Sequence, residues 1–416
     1  MAHPLWYAPL TLFGTALVML RLFAAARFLP TAEFGTLSAG LLVASTFSVL
    51  GALGLYPLLQ RDLPVLHRGG RGAIGSVRIH QAILVAIGLC AVSVAAALVG
   101  VAAVGLSRTA LVAALFNGLA QQCFLIVTLR SRSSAAFLRY GWETLLRALA
   151  MTLSSLSVGL WTGSAAWMLW TEALVTLVAC LLAWHAGGAR AHRAAPLRRL
   201  LRTSVAGLGG VRWRAALTLM AGGTAAFGLA NADRWVGALT LSAPDFGIYA
   251  FGAILVSIAQ TLQATINAAL LPWLARLHLS DPARALRVAA GTSVGLMMTL
   301  LLAGMALIPA MAWLVHTFFD RYIAVLPLLP WFVATAAARL SEFWSTWLVV
   351  TRRESTALWV QLSALPTLGA ALYAFAKPAH GAMVNCALVG ATFALVPWCI
   401  GAVVSLSTFS HRTRPA

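Results

Sequence analysis

The stretch from Ala82 to Leu106, AILVAIGLCAVSVAAALVGVAAVGL, contains no acidic, basic or histidine residue. An α-helix rises 1.5 Å per residue, so about twenty residues cross the roughly 30 Å hydrocarbon core of a bilayer. This run is long enough to span. Comparable blocks recur along the whole chain, which predicts helices near 5–28, 34–60, 81–106, 110–129, 140–161 and 165–186. A second set is predicted near 215–240, 248–271, 288–315, 324–350, 355–376 and 382–407. The composition agrees: 61% of the 416 residues are hydrophobic and 9% are charged, whereas a soluble domain carries about a quarter charged residues. The expected fold class is an all-α integral membrane protein with about twelve transmembrane helices.

An even number of spans puts both termini on one side, and the charges say which. The chain has 29 basic and 10 acidic residues, and every basic residue except Lys377 is arginine. A net charge of +19 in a soluble protein would point to nucleic acid. Here the arginines lie in short turns between apolar blocks, so no nucleic-acid partner is implied. With the ends inside, the cytoplasmic segments hold 21 basic residues and the outer turns only Arg108, Arg321 and Lys377. Basic residues are retained in cytoplasmic loops, so both termini are expected in the cytoplasm. Trp161 and Trp167 flank an outer turn, and Trp184 and Trp213 an inner one, as interfacial anchors do. No Lys or Arg precedes the first apolar run, so 5–28 reads as a retained helix and not as a cleaved signal. The five cysteines all fall in apolar spans with no CxxC pair, which leaves neither a disulfide framework nor a zinc site.

The longest connector, 187–214, contains the basic amphipathic run Pro196-Leu197-Arg198-Arg199-Leu200-Leu201-Arg202 and reads as a linker lying on anionic lipid. It separates an amino-terminal six-helix lobe, 1–186, from a carboxy-terminal one, 215–416. The halves share short matches. Glu33-Phe34-Gly35 follows the first helix and Asp245-Phe246-Gly247 the seventh. Pro57-Leu58-Leu59-Gln60-Arg61 closes the second helix and Pro272-Trp273-Leu274-Ala275-Arg276 the eighth. Six spans per half make this a parallel repeat.

These same segments resemble polysaccharide flippases. The arginine-bearing first helix, the turn into Glu33-Phe34-Gly35 and the small-residue helix after it are similar to the start of that family. Asp233-Arg234, Asp245-Phe246-Gly247-Ile248-Tyr249 and Leu271-Pro272 are similar to the start of its second half. The family, the Wzx-type O-antigen and exopolysaccharide transporters, belongs to the multidrug/oligosaccharidyl-lipid/polysaccharide (MOP) exporter superfamily. The resemblance implies two six-helix lobes around a central cavity in the bacterial inner membrane. Through that cavity undecaprenyl-pyrophosphate-linked oligosaccharide passes to the outer leaflet by alternating access. It implies lipid-linked oligosaccharide and membrane lipids as partners, with other polysaccharide-assembly proteins, and no cofactor.

Charges inside a bilayer cost several kcal/mol and commonly face a cavity or a partner. Those in the expected spans are Arg21, Arg27, Arg147, Arg234 and Arg339, with Glu143, Glu172, Asp233 and Glu342. Glu143 and Arg147, four apart, and Arg339 and Glu342, three apart, can pair on one helix face. Asp233 and Arg234 are adjacent and need separate partners. Arg27, near a helix end, can snorkel. Structural and substrate-binding roles remain open for each. Arg21 has no acid three or four residues away, so its partner lies on another helix, in water or on a ligand. A pyrophosphate headgroup suits it, because guanidinium binds phosphate oxygens in bidentate fashion. The carboxylates are candidates for coupling or for pairing. Gln260, Gln263 and Asn267 form one stripe, and Asn117 with Gln121 another. They suit sugar hydroxyls or hydrogen bonds between helices.

Enzyme motifs fail on context. Gly291-Thr292-Ser293-Val294-Gly295 has the letters of a nucleophile elbow without its strand-to-helix turn, and reads instead as a small-residue packing motif. No phosphate-cradling GxxxxGK and no HExxH occur, and all nine histidines fall in loops or at helix ends. The reading is therefore a flippase and not an enzyme. Two alternatives are weighed: a drug or metabolite antiporter of the same superfamily, and a membrane-embedded enzyme acting on a polyprenyl-linked glycan.

The charge distribution makes a direct prediction. In a cysteine-free background, single cysteines at Ser107 and Ala379 should react with impermeant thiol reagents added outside, and one at Ala195 should not. The reverse labelling pattern would invert the topology.

Overall fold

The computed structural model describes residues 8–68, 72–100, 105–134, 136–188, 197–351, 353–366 and 381–410, and every element among them is helical. Among the described residues, ten helices are long and apolar enough to cross a membrane, or eleven when one bent pair counts as a single span. The eleventh expected span, 355–376, is represented by a helix over Glu354–Leu362; its remainder from 367 lies outside the described residues. The chain is a multi-pass membrane protein. It forms two compact units, residues 1–227 and 228–416.

The first unit contains α1 (Ala8–Phe28), α2 (Thr31–Leu50), α3 (Leu55–Arg68), α4 (Gly72–Val99), α5 (Arg108–Ser133), α6 (Phe137–Thr162), α7 (Ala165–Gly188), α8 (Leu197–Ala206) and most of α9 (Trp213–Ala230). Helix α5 is its axis: it packs against α2, α4, α6 and α7, and 72% of its apolar window is buried inside the protein. Helix α1 packs chiefly on α6, and only 22% of its apolar window is buried inside the protein. The ends follow local chemistry. Ser107 caps α5 by accepting the Ala110 amide, and Gly163 ends α6 at φ 62°, a left-handed conformation glycine adopts freely. Glu33, in the first turn of α2, accepts the amide of Ala165 at 2.7 Å and so caps α7. Its neighbour Phe34 is buried.

The expected helix 34–60 is two helices. Helix α2 stops at Leu50, a turn over 51–54 follows, and α3 begins at Leu55. Leu55, Leu58, Leu59 and Leu63 form the buried stripe of α3, packed on Ile79, Ala82, Ile126, Leu129 and Ala216. Gly54 has φ 78°, and a Cβ there would collide with the carbonyl oxygen of Ala216. Helix α4 begins at Gly72 and not at 81, so His80 lies inside a helix, edge-on to Trp184. The linker helix α8 is not solely a lipid-surface element: buried Ser204 bonds to Gln81 and Val77 of α4. Just beyond it, Arg212 reaches Asp62 of α3 at 2.7 Å. Burial of Asp62 opposes its ionisation, but Arg61 and Arg212 outweigh this and hold the carboxyl below the usual carboxylate range. The clasp is therefore charged at neutral pH and loosens only as acid takes the pH down through that lowered value.

The second unit continues with α10 (Ala232–Thr240), α11 (Ala243–Ser280), α12 (Pro282–Phe318), a 3-10 segment (Asp320–Leu328), α13 (Leu329–Leu340), α14 (Trp344–Val350), α15 (Glu354–Leu362) and α16 (Ala382–Ser410). Helices α11, α13 and α16 form its interior. Asp245 sits in the first turn of α11, where Ser242 accepts its amide, and Phe246 is buried, as Phe34 is in α2. Helix α11 has 38 residues, about 57 Å at 1.5 Å per residue, so it is far longer than a span. Asp281 then caps α12.

Two further expected helices are broken. The span 215–240 bends by 65° between α9 and α10, at Asn231, and the span 324–350 is interrupted between α13 and α14. Gly291 and Gly295 do not serve close packing, since no described atom lies within 4 Å of a Cβ built on either. Only 6% of the apolar window of α12 is buried, so these glycines lie on an open helix. Of the five cysteines, Cys399 is exposed and the other four are buried.

Gly54→Ala should lower the amount of inserted, protease-resistant protein several-fold. Left-handed backbone alone costs a non-glycine residue about 1–2 kcal/mol, and the Cβ collision adds to it. Gly291→Ala, measured beside it, should leave abundance unchanged.

Candidate functional site

Charged and amide side chains within the apolar region gather in two networks, one in each unit. In the first, Arg21 of α1 reaches across to Glu172 of α7 as an ion pair, with 3% and 0% of the two residues exposed. Asn117 of α5 donates to the other Glu172 oxygen at 3.1 Å, Ser155 of α6 donates at 3.1 Å, and Gln121 donates to Asn117 at 3.3 Å. Glu172 thus joins four helices. A carboxylate away from water needs this many partners, because its lone pairs have no solvent to meet. Arg21 therefore has its partner on another helix, one of the three alternatives that its lone position in the sequence left open. Asn117 and Gln121 likewise bond inside the unit.

The other charges of this unit pair differently from expectation. Glu143 accepts from Arg139 at 2.7 Å and from Ser131 at 3.2 Å, and it forms no salt bridge with Arg147. Both arginines are four residues from Glu143, so spacing could not choose between them. Arg147 instead lies over the ring of Phe124, 4.7 Å from its centroid. Arg27 is exposed in the last turn of α1, consistent with snorkelling.

The second network is built on the break at Asn231. Bending a helix there deprives the carbonyls of Leu229 and Ala230 of their usual donors one turn ahead. Arg339 of α13 donates to Leu229 at 3.3 Å and to Phe393 of α16 at 3.3 Å, while Gln260 of α11 donates to Ala230 at 3.2 Å. Just past the break, buried Asp233 accepts from the Tyr249 hydroxyl at 2.6 Å. Arg234 donates to Ser257 at 2.7 Å and to the Ala253 carbonyl at 2.9 Å. Gly390 lies so close that a Cβ there would be 3.2 Å from the Asp233 carboxyl.

Arg339 and Glu342 do not form the expected pair. The helix ends at Leu340, and the turn over 341–343 removes the three-residue spacing that would align them. Glu342 instead accepts from the Ser345 hydroxyl at 2.7 Å and its amide at 3.0 Å, while Gln263 donates to its main-chain carbonyl at 2.8 Å. Asn267 lies outside the described side chains. Sequence reasoning missed Ser155, Tyr249 and Ser257. A hydroxyl on an apolar helix has no distinguishing spacing, so nothing marked Ser155 or Ser257, and Tyr249 stood out only as part of the resembling stretch 245–249. Among the described residues, no three His, Cys, Asp or Glu side chains gather as a metal site.

No family model matches the chain, and no curated protein sequence matches it. Solved structures do. It is similar to a mutant of the Vibrio cholerae MATE transporter VcmN over 100% of this chain and 99% of that one, at 13% identity and a TM-score of 0.57. A MOP superfamily transporter from Pyrococcus furiosus, with a binding pocket of reverse polarity, matches 98% of this chain with 95% of its own (13% identity, TM-score 0.56). A multidrug resistance MATE family transporter of the MOP superfamily matches in its inward-facing conformation (12% identity, TM-score 0.53, covering 100% and 97%). A multidrug resistance MATE family transporter in an outward-facing conformation matches too (11% identity, TM-score 0.52, covering 98% and 96%). At these identities the likeness establishes the fold, that of MATE-like transporters.

Removing one partner of a buried ion pair leaves the other uncompensated, at about 3–5 kcal/mol. Arg21→Ala should therefore deplete inserted protein. Arg21→Met combined with Glu172→Gln should restore much of that loss, since an apolar or neutral pair of similar volume is tolerated. Immunoblots of membrane fractions, read beside thermal unfolding in detergent, check both. Full abundance of Arg21→Ala would remove the tether.

Proposed function

We infer that this chain is an alternating-access transporter of the bacterial inner membrane, and that its cargo is an anionic polyprenyl-linked oligosaccharide. The mechanism needs no bond to be made or broken. Fold likeness to transporters described in both inward- and outward-facing conformations supports the alternating-access part.

One observation carries the choice of cargo. Arg147, Arg234 and Arg339 are all partly buried, and among the described residues none forms a salt bridge with a carboxylate. Their hydrogen-bond and ring partners are carbonyls, a hydroxyl and an aromatic face, which orient the guanidiniums of Arg147 and Arg234 without neutralising them, while Asp233 and Glu342 lie near enough to act on the charge of Arg339. Two of the four membrane carboxylates, Glu143 and Glu172, are meanwhile occupied by arginines. The surplus positive charge favours an anion, and a pyrophosphate linkage is a multiply charged one that guanidinium grips through two oxygens. A cationic drug would meet repulsion from the same groups.

A second reading, a cation-coupled antiporter for drugs or metabolites, rests on Asp233 and Glu342. Neither forms a salt bridge among the described residues, so each could take up a proton or sodium ion.

Proteoliposomes separate the readings. The purified chain should move a fluorescent polyprenyl-pyrophosphate oligosaccharide between leaflets, and Arg147→Gln with Arg234→Gln should slow it at least tenfold at equal protein content. If instead the liposomes extrude a cationic dye along an imposed ion gradient, Asp233→Asn abolishes this, and lipid-linked sugar stays in place, the antiporter reading replaces the flippase.

A further inference from the structure

A cavity of about 280 Å³ opens where α4, α5, α6 and α7 meet, at the end of the first unit that carries its arginine-rich turns. It is separate from the Arg21–Glu172 network. Its walls are Ser76 and Ile79 of α4, Arg130 and Ser131 of α5, Arg139 of α6 and Trp184 of α7, with Ser134 and Ala136 in the turn between α5 and α6. One water occupies about 30 Å³ in the liquid, so the space holds several waters or one phosphate group with its ester substituents.

The two guanidiniums differ. Arg139 is held by Glu143 and by the Ala183 carbonyl at 3.2 Å, which fixes it on the wall. Arg130 forms no salt bridge among the described residues. The cavity therefore keeps a net positive charge after the one nearby carboxylate is counted. One more feature favours an anion. Ala136, the N-cap of the 26-residue α6, lines the cavity, so the partial positive charge of that helix N-terminus lies beside it. The hydroxyls of Ser131 and Ser134 also line it, with their protons donated to Glu143 and to the Ser131 carbonyl. Beside the mouth, Leu181 and Leu182 of α7 are 59% and 66% exposed, so the cavity adjoins the lipid-facing surface at a Trp.

The geometry points to a phosphoryl-binding site here, taking the phosphate of an anionic membrane lipid with its acyl chains along α7. Basic pockets between membrane helices near the cytoplasmic surface have the chemistry for such headgroups, and Arg supplies the bidentate fork. The assignment stands whether or not the transport reading does, because it uses no residue of either network.

The full-length protein, purified and delipidated, is mixed with phosphatidylglycerol or phosphatidylcholine, and retained lipid is counted by native mass spectrometry. Wild type should retain one phosphatidylglycerol and no phosphatidylcholine. Arg130→Gln should weaken that retention at least fivefold, and Arg130→Lys by less, since charge persists while the fork is lost. Arg284→Gln makes the same charge change in the second unit and should retain lipid like wild type. Inorganic phosphate at millimolar concentration should compete with the lipid. If inorganic phosphate raises the melting temperature in an Arg130-dependent way while no lipid is retained, the site is phosphoryl-binding and its source is the free ion. Equal retention by wild type and Arg130→Gln, or equal loss in Arg130→Gln and Arg284→Gln, would overturn the assignment. Melting curves of all variants in detergent confirm that they are folded.

Discussion

Within a bilayer no water waits to take up a hydrogen bond that the protein leaves unmade, and this constraint organises the molecule. Where helices run unbroken, the backbone satisfies itself and side chains are free to face lipid. Helix α12 is the limit of that condition, with little of its apolar window buried. At the bend by Asn231 the carbonyls of Leu229 and Ala230 have to be met from outside their own helix. Gln260 of α11 and Arg339 of α13 meet that demand, and Arg339 also bonds the Phe393 carbonyl of α16. The polar side chains of the second unit thus serve the backbone first.

In the first unit the same constraint acts on a charge. Glu172 is fully enclosed, and α1, α5 and α6 each supply it with a donor. A carboxylate with this many partners identifies a rigid part of the unit. The partly buried arginines are a different population. Among the described residues their hydrogen-bond and ring partners are neutral groups, although Asp233 and Glu342 also act on the charge of Arg339.

The fold class was legible because length and apolar composition decide it locally: any run such as 82–106 that lacks charge must span. The breaks were not legible. Asn231 and the turn at 341–343 lie inside runs apolar enough to read as continuous helix, and what makes the bend tolerable is a glutamine and an arginine remote in the chain. Pairing failed for a related reason. Glu143 has an arginine four residues away on either side, and only the helix packing, which offers Arg147 the face of Phe124, decides between them. The partner of Arg21 likewise lies on another helix. The linker 187–214 was read from its charge, but Ser204 and Arg212, which bind it to α4 and α3, carry no pattern that announces a contact.

That binding has a mechanical consequence. With Ser204 and Arg212 fastened to the first unit, the chain leaves it within helix α9 and not through slack loop: the division at 227 and 228 falls inside Trp213–Ala230. A loop absorbs an extra residue at little cost, whereas each residue added to a helix turns everything beyond it by about 100°. Within α9, therefore, residue count sets which face each side chain presents. Length variation, ordinarily tolerated in a connector, is here a change of phase.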